Sequence, residues 1–256
     1  MKNLILKPAF LIMLTVSFFF AKAQETSSVK KLINYAEPNY SADAKSIEHT
    51  AFTISFIDKH KHAEWVSYCL IGEELKSSNV KRKDNFKVDP KYAACANDKD
   101  YAKSGYDRGH LFPAANACTG EIMDESFYYT NMSPQVPSFN RGIWKRIEAK
   151  VRDWAIEYDT IYVVTGALLA ENLDFIGDNV SIPKYYYKVI LVNTQKTKQA
   201  LAFFIGNGNI KSKKLENFAV SVDIIELITG LNFCKDLDAE LQELVEGEVD
   251  IANWSW

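Results

Sequence analysis

Runs of β-branched, aliphatic and aromatic residues alternate with polar segments along the chain and predict a protein rich in sheet. They predict strands at 53–57, 65–71, 161–169, 185–193 and 200–205. The charged stretch at 58–62 is typical of a turn. Residues 24–48 are polar and predict a loosely structured lead-in. Residues 72–105, with Pro90 and mixed charges, predict irregular structure.

One amphipathic helix is predicted at 141–158. Its apolar stripe recurs at helical spacing and consists of Trp144, Ile147, Val151 and Trp154. Asn140 stands at the start and is a residue type that caps helices well. Glu148 and Arg152 are four residues apart, so they share a face of the helix beside the stripe.

A second, shorter helix is predicted at 221–228, ended by Gly230. The chain shows no internal repeat and no low-complexity segment. Five strands and two helices without a linker between them favour one α+β domain.

The N-terminus has the layout of a secretory signal peptide. Lys2 and Lys7 precede an apolar run at 9–20, and Ala21-Lys22-Ala23 is a small-x-small cleavage pattern. A membrane anchor is the alternative, but a bilayer span needs roughly 20 apolar residues. We therefore predict cleavage after residue 23, export to the periplasm or the medium, and a single mature domain at 24–256.

The charge of the mature chain argues against passive binding to nucleic acid. Loss of Lys2, Lys7 and Lys22 changes the formal net charge from -3 to -6, and an acidic surface repels phosphates. Basic residues are concentrated at 141–152, where five cationic side chains accompany only Glu148. Contact with a polyanion must therefore be local.

The four cysteines lie at 69, 95, 118 and 234 and have none of the close spacing of a zinc site. Two disulfides, one disulfide or buried free thiols all remain open, since four cysteines allow three pairings. Three of the four histidines are assigned structural or surface roles: His49, His60 and His62.

The fourth histidine, His110, lies in the densest group of candidate catalytic residues. Asp107-Arg108-Gly109-His110 is followed after 21 residues by Asn131, and then by Asn140, Glu148 and Arg152 at intervals of 9, 8 and 4. A histidine can take a proton from water near neutral pH. Amide and carboxylate oxygens can hold hydrated Mg²⁺, and arginines can clamp phosphate oxygens.

Two motifs together resemble the DNA/RNA non-specific endonuclease family: residues 107–110 and the segment at 130–142, TNMSPQVPSFNRG. That family uses a ββα-metal site, in which a hairpin supplies the histidine and a helix supplies the metal ligand. Arg82-Lys83-Asp84-Asn85-Phe86 and residues 222–231 extend the resemblance to about 50–235. The implied fold has a central, mainly antiparallel sheet flanked by helices.

The resemblance implies a role for each residue. His110 is the general base, and Asn140 is the one direct protein ligand of Mg²⁺, with Mn²⁺ or another divalent cation as an alternative. Glu148 and Asn131 organise the metal-bound waters and the site. Arg82 and Arg152 hold the phosphate, while Arg108 and Asp107 shape the hairpin.

Each of these residues also has a plainer explanation when taken alone. Asn140 could be no more than a helix cap, Asn131 could satisfy the hydrogen bonds of a buried turn, and Arg82 could be a solvated surface side chain. Glu148 and Arg152 could form a surface ion pair. The coincidence of all of them at the family spacing favours the catalytic interpretation.

The sequence therefore predicts an exported, sugar-non-specific endonuclease that hydrolyses DNA and RNA and leaves 5′-phosphate ends. Its contacts would be to the phosphate backbone, which carries no sequence information. Two alternatives remain open: a phosphodiesterase acting on a small ester or nucleotide, and an inactive nucleic-acid-binding module.

Overall fold

Eleven strands lie in residues 34–256, the part of the chain that the computed structural model describes. They are β1 Ala44–Glu48, β2 Phe52–Ile57, β3 His62–Ile71, β4 Asp107–His110, β5 Met132–Gln135, β6 Thr160–Ala167, β7 Phe175–Ile176, β8 Val180–Ser181, β9 Tyr185–Asn193, β10 Lys198–Gly206 and β11 Ala219–Val220. Seven form an antiparallel sheet in the order β1-β2-β3-β6-β9-β10-β11. The pairs β4–β5 and β7–β8 stand apart from it. The predicted signal peptide lies outside the described residues.

Seven α-helices accompany these strands in the same residues. They are α1 Gly72–Ser77, α2 Asp98–Tyr101, α3 Gly120–Ser126, α4 Pro137–Phe139, α5 Lys145–Glu157, α6 Val222–Thr229 and α7 Ala239–Glu246. A π-helical turn, Asn140–Trp144, joins α4 to α5. Short 3₁₀ turns occur at Asp58–His60, Ala114–Asn116, Tyr129–Asn131, Leu215–Phe218 and Ile251–Asn253.

The sheet is buried on both faces, because successive side chains of a strand point to opposite sides. In β9, Ile190 and Val192 pack into the core beneath α5, whereas Val189 and Leu191 pack beneath α6 and α7. The α+β fold with a central antiparallel sheet is confirmed. No helix in residues 34–256 has both the length and the apolar content needed to cross a membrane.

The five predicted strands are confirmed, and 185–193 has the predicted bounds. The lead-in prediction is wrong at β1, because in this edge strand only Ile47 is buried and the alternation is too weak to read. The region at 72–105 contains α1 and α2, which are too short to show an apolar stripe. The four cysteines are free thiols, in agreement with one of the three possibilities.

The longer helix prediction is confirmed in its body and wrong at its start. The backbone of Asn140 is already helical (φ -55, ψ -53), and no side-chain hydrogen bond caps the helix there. Asn140 is therefore inside a helical turn, and a capping role does not explain it. The helix at 221–228 is confirmed as α6, and Gly230 closes it with φ 73.

A buried charge cluster joins the β1–β2 turn to the segment before β5. His49 Nε2 lies 3.0 Å from Asp89 Oδ2, and His49 Nδ1 lies 3.5 Å from Glu125 Oε1. Asp89 also accepts a hydrogen bond from Thr130 Oγ1 at 2.6 Å. Burial lowers the pKa of His49, but the hydrogen bond with Asp89 and the nearby charge of Glu125 outweigh it and raise that pKa. Burial raises the pKa of each carboxylate, but His49, together with the hydrogen bonds from Thr130 to Asp89 and from Thr50 N to Glu125, outweighs it and lowers both pKa values.

This cluster predicts a window of greatest stability between about pH 4.5 and 6.5. The His49 contribution is complete below pH 6.5 and is lost as pH rises through its raised pKa. The carboxylate contribution is complete above pH 4.5 and is lost as pH falls through the lowered pKa values. Urea unfolding of the wild type and of His49→Gln should differ most inside this window, by about 3 kcal/mol. A difference that does not depend on pH would contradict this prediction.

Candidate active site

The strand pair β4–β5 presents His110. The two strands are antiparallel, with His110 opposite Met132 and Gly109 opposite Ser133. Gly109 is required by close packing: a Cβ atom there would lie 2.2 Å from Cδ of Gln135, whose side chain is completely buried. The glycine before the histidine therefore lets the hairpin close on Gln135.

The His110 imidazole lies in an apolar environment. The residue is 8% exposed, and its ring packs edge-on against Phe127 with 4.9 Å between ring centroids. Burial, and after it the positive charge of Arg82, lowers the pKa of His110 to about 3. The ring is therefore neutral at physiological pH, which is the form that accepts a proton.

Asn131 fixes the backbone that follows His110. Its Oδ1 accepts a hydrogen bond from Phe112 N at 2.8 Å, and its Nδ2 donates to Phe112 O and to Ser126 O. The side chain is completely buried. Because its amide is taken up by the backbone, the structure favours a positioning role for Asn131 over the contact with metal-bound waters that the resemblance implied.

Asn140 is oriented by a carboxylate of the hairpin. Its Nδ2 donates to Asp107 Oδ2 at 2.9 Å, and the same oxygen accepts from Arg141 Nε at 2.8 Å. An ionised carboxylate can only accept hydrogen bonds, so the amide nitrogen of Asn140 must face it. The Asn140 Oδ1 is thereby turned away from Asp107 and left for another partner. The π-helical turn that carries Asn140 bends at Gly142 (φ -103, ψ -108).

Glu148 is a half-buried carboxylate surrounded by cations. Burial raises its pKa, and the charges of Lys188, Arg152 and Arg82 oppose that rise. Within residues 34–256, none of them forms an ion pair with it. Arg152 instead contacts Asn116 Oδ1 at 3.4 Å. The simple surface ion pair with Arg152 is therefore not formed, and the carboxylate oxygens remain accessible.

Arg82 links the histidine to the carboxylate. Its guanidinium lies 5.1 Å from the centroid of the Phe127 ring, the ring that also packs against His110. Its Nε donates to Asp84 at 2.6 Å. Its charge acts on both His110 and Glu148. The structure thus brings these three predicted residues together.

Arg108 is held by Tyr129 and by α2. Its Nε donates to the Tyr129 hydroxyl at 2.9 Å, and its Nη2 pairs with Asp98 at 2.8 Å. Its guanidinium also lies 5.1 Å from the centroid of the Phe86 ring, beside His110. These contacts tie the hairpin to α2 and agree with a shaping role.

Sequence patterns missed two groups of cations near the site. Lys188 is completely buried in β9, where it is the one charged residue of the strand. A single lysine inside an apolar run was the available signal. Lys211, Lys213 and Lys214 are exposed on the loop before β11, and Arg146 of α5 donates a hydrogen bond to Lys213 O. This contact brings the loop to the basic side of α5.

A hairpin that carries the histidine, followed by a helical segment that presents an oriented asparagine, defines the class of ββα-metal nucleases. The chain belongs to the DNA/RNA non-specific endonuclease family, whose family model matches residues 30–240. It is accordingly an endonuclease that hydrolyses nucleic acids. The resemblance stated from the motifs is confirmed over a somewhat longer segment.

Relatives and a solved structure agree with this assignment. Nuclease C1 of Cunninghamella echinulata var. echinulata is 33% identical over 82% of this chain and 89% of its own. Mitochondrial endonuclease G of Homo sapiens is 30% identical over 84% of this chain and 76% of its own. The fold is also similar to EndoG in the crystal structure of the EndoG/EndoGI complex. The TM-score is 0.72 at 28% identity, over 81% of this chain and 91% of that chain.

Replacement of Asn131 distinguishes a role in positioning the backbone after His110 from a role at the metal-bound waters. Asn131→Ala orphans buried backbone groups of Phe112 and Ser126, so we expect the free energy of unfolding to fall by about 3 kcal/mol. Glu148→Gln, the matched change in an accessible carboxylate, should leave stability nearly unchanged. Chemical denaturation of both variants measures this. An Asn131→Ala protein of full stability but without activity would restore the role at the metal-bound waters.

Proposed function

We propose that the protein is an exported endonuclease that hydrolyses DNA and RNA with Mg²⁺ and leaves 5′-phosphate ends. The observation that carries this proposal is the Asp107–Asn140 hydrogen bond, which frees the Asn140 Oδ1 for a hard cation. A neutral His110 can serve as the general base, and an accessible Glu148 can accept hydrogen bonds from metal-bound water. The family assignment supplies the reaction class, and these residues supply its local chemistry.

The donor groups fit Mg²⁺. This ion keeps several waters and commonly binds through one or two protein oxygens together with substrate phosphate. Asn140 would hold it directly, with Glu148 accepting hydrogen bonds from its waters. When bound, the ion supplies Lewis-acid stabilisation of the charge on the phosphoryl oxygens. Mn²⁺ or another divalent cation fits the same oxygen donors.

The proton and phosphate steps fall to His110 and the arginines. His110 removes a proton from the water that attacks phosphorus. The bond from phosphorus to the 3′ oxygen breaks, that oxygen takes up a proton and leaves as a 3′-hydroxyl, and the phosphate stays on the 5′ side. Arg82 and Arg152 neutralise the phosphate. Because the charge of Arg82 contributes to the low pKa of His110, a phosphate bound to Arg82 would offset that charge. Substrate binding would thereby make His110 a stronger base.

Purified residues 24–256 should cut both plasmid DNA and RNA in Mg²⁺ and lose this activity in a chelator. His110→Ala should lower kcat by at least about 100-fold, the range of a lost general base. Asn140→Ala should raise the Mg²⁺ concentration needed for half-maximal rate. End-labelling of the products should reveal 5′-phosphates. Full-length protein expressed in bacteria should be recovered from the periplasm or medium with Gln24 as its first residue.

The outcomes of this experiment separate the alternatives. Full activity in a contaminant-free His110→Ala preparation would exclude the proposed base. Intact polymer beside rapid turnover of a small phosphodiester would identify a small-ester phosphodiesterase. Binding of DNA without cleavage in any divalent cation would identify an inactive binding module.

The substrate path follows from the cations that pair with no carboxylate within residues 34–256. Arg141 is occupied by Asp107, so the basic side of α5 offers Lys145 and Arg146, and the 211–214 loop adds three lysines beside Arg146. Such side chains contact phosphates whatever the base sequence. We infer that a polymer crosses this surface on its way to His110.

Removal of the loop lysines should weaken polymer binding in a salt-dependent way. Replacing Lys211, Lys213 and Lys214 with Gln should flatten the slope of log K against log salt by about 0.9 per lost duplex phosphate contact. Fluorescence anisotropy with labelled duplex in a His110→Ala background measures the slope. The matched control replaces Lys196, Lys198 and Lys235, which are exposed elsewhere. Equal slopes for the two triple variants would remove the loop from the path.

A further inference from the structure

Lys188 places an ammonium group in the interior of the protein. The residue has no exposed surface. Its Nζ donates to the Tyr68 hydroxyl at 3.1 Å and to Thr165 Oγ1, and it lies 4.8 Å from the centroid of the Trp144 ring. Strands β3 and β6 and the turn before α5 therefore enclose it.

This burial is costly. A lysine is almost never fully buried unless it is paired, because removing an ammonium from water costs several kcal/mol. Lys188 forms no ion pair with a carboxylate within residues 34–256. Its partners are two hydroxyl groups and the aromatic rings of Tyr68 and Trp144. A methionine would fill the same space without the desolvation cost, so packing alone does not explain the lysine.

The position of Lys188 points to Glu148. Trp144, whose ring lies over the ammonium, precedes Glu148 by four residues, which places both side chains on the same side of the helical segment. Lys188 also exerts the largest attraction among the charges that act on Glu148, ahead of Arg152 and Arg82. The ammonium therefore lies beneath the catalytic side of α5.

We propose that Lys188 is a positioning residue for the nuclease reaction, whose buried charge holds the Glu148 carboxylate in place from beneath α5. This rests on the role of Glu148 in the proposed function. A direct ion pair would occupy the carboxylate oxygens. A charge set one layer deeper attracts the carboxylate and leaves both oxygens accessible to metal-bound water.

The test is Lys188→Met, which removes the charge and keeps much of the volume. We expect kcat on DNA to fall by about 10- to 100-fold, the usual cost of losing a group that supports a metal site. The Mg²⁺ concentration for half-maximal rate should rise, and KM for DNA should not change. Lys198→Met, the same substitution at an exposed position of β10, should behave as the wild type.

Stability separates this role from a structural one. Replacing a buried charge by an apolar side chain is often neutral or stabilising, and Tyr68 and Thr165 still have each other as partners at 3.1 Å. Lys188→Met should therefore unfold in urea at no lower concentration than the wild type. A variant that fails to fold, or that folds and retains its full kcat, would overturn the proposal.

A double-mutant cycle tests whether Lys188 acts through Glu148. In a Glu148→Gln background, Lys188→Met should cause little further loss of kcat, because the group that it holds is already uncharged. Effects that multiply would show that Lys188 acts independently of Glu148 and would contradict the proposal. Failure of the wild type to cut DNA or RNA would instead refute the proposed function, so the two failures are distinguishable.

Discussion

The hydrogen bond between Asp107 and Asn140 is the contact on which the site depends. It joins the first residue of the histidine strand to the turn that opens the long helix, two elements 33 residues apart in sequence. It also fixes which end of an amide faces the site. Arg141 compensates the negative charge of this arrangement. Its guanidinium forms an ion pair with Asp107, while the carboxylate still accepts a hydrogen bond from Asn140.

Buried polar groups fix the positions of the other site residues relative to that contact. Asn131 uses its amide on the backbone after His110, and Gln135 fills the space that Gly109 leaves open. A buried polar group is costly unless it is hydrogen-bonded, and the three hydrogen bonds of the Asn131 amide permit one arrangement only. The low exposure of His110 follows from the same packing and keeps the imidazole neutral.

The sequence predicts this fold well where burial imposes a regular spacing of apolar residues along a strand or helix, and poorly elsewhere. Strand β9 and helix α5 have strong apolar patterns and were found with nearly correct bounds, whereas the edge strand β1 has one buried residue and was missed. The site residues followed from motif spacing. Their contacts did not, because the partner of Asn140 and the enclosure of Lys188 are set by tertiary packing. Propensity placed Asn140 at a helix cap, and the structure places it inside a π-helical turn.

Electrostatics explain how an acidic protein can act on a polyanion. Nine acidic residues and one lysine lie at 221–256, most of the acids in or beside α6 and α7, whereas the cations described above lie around α5 and the 211–214 loop. At physiological ionic strength, exposed charges farther apart than about 8 Å are largely screened. The sheet therefore separates two surfaces that act independently toward a bound strand. The buried Lys188 is screened least, so it acts on Glu148 more strongly than the distant acids do.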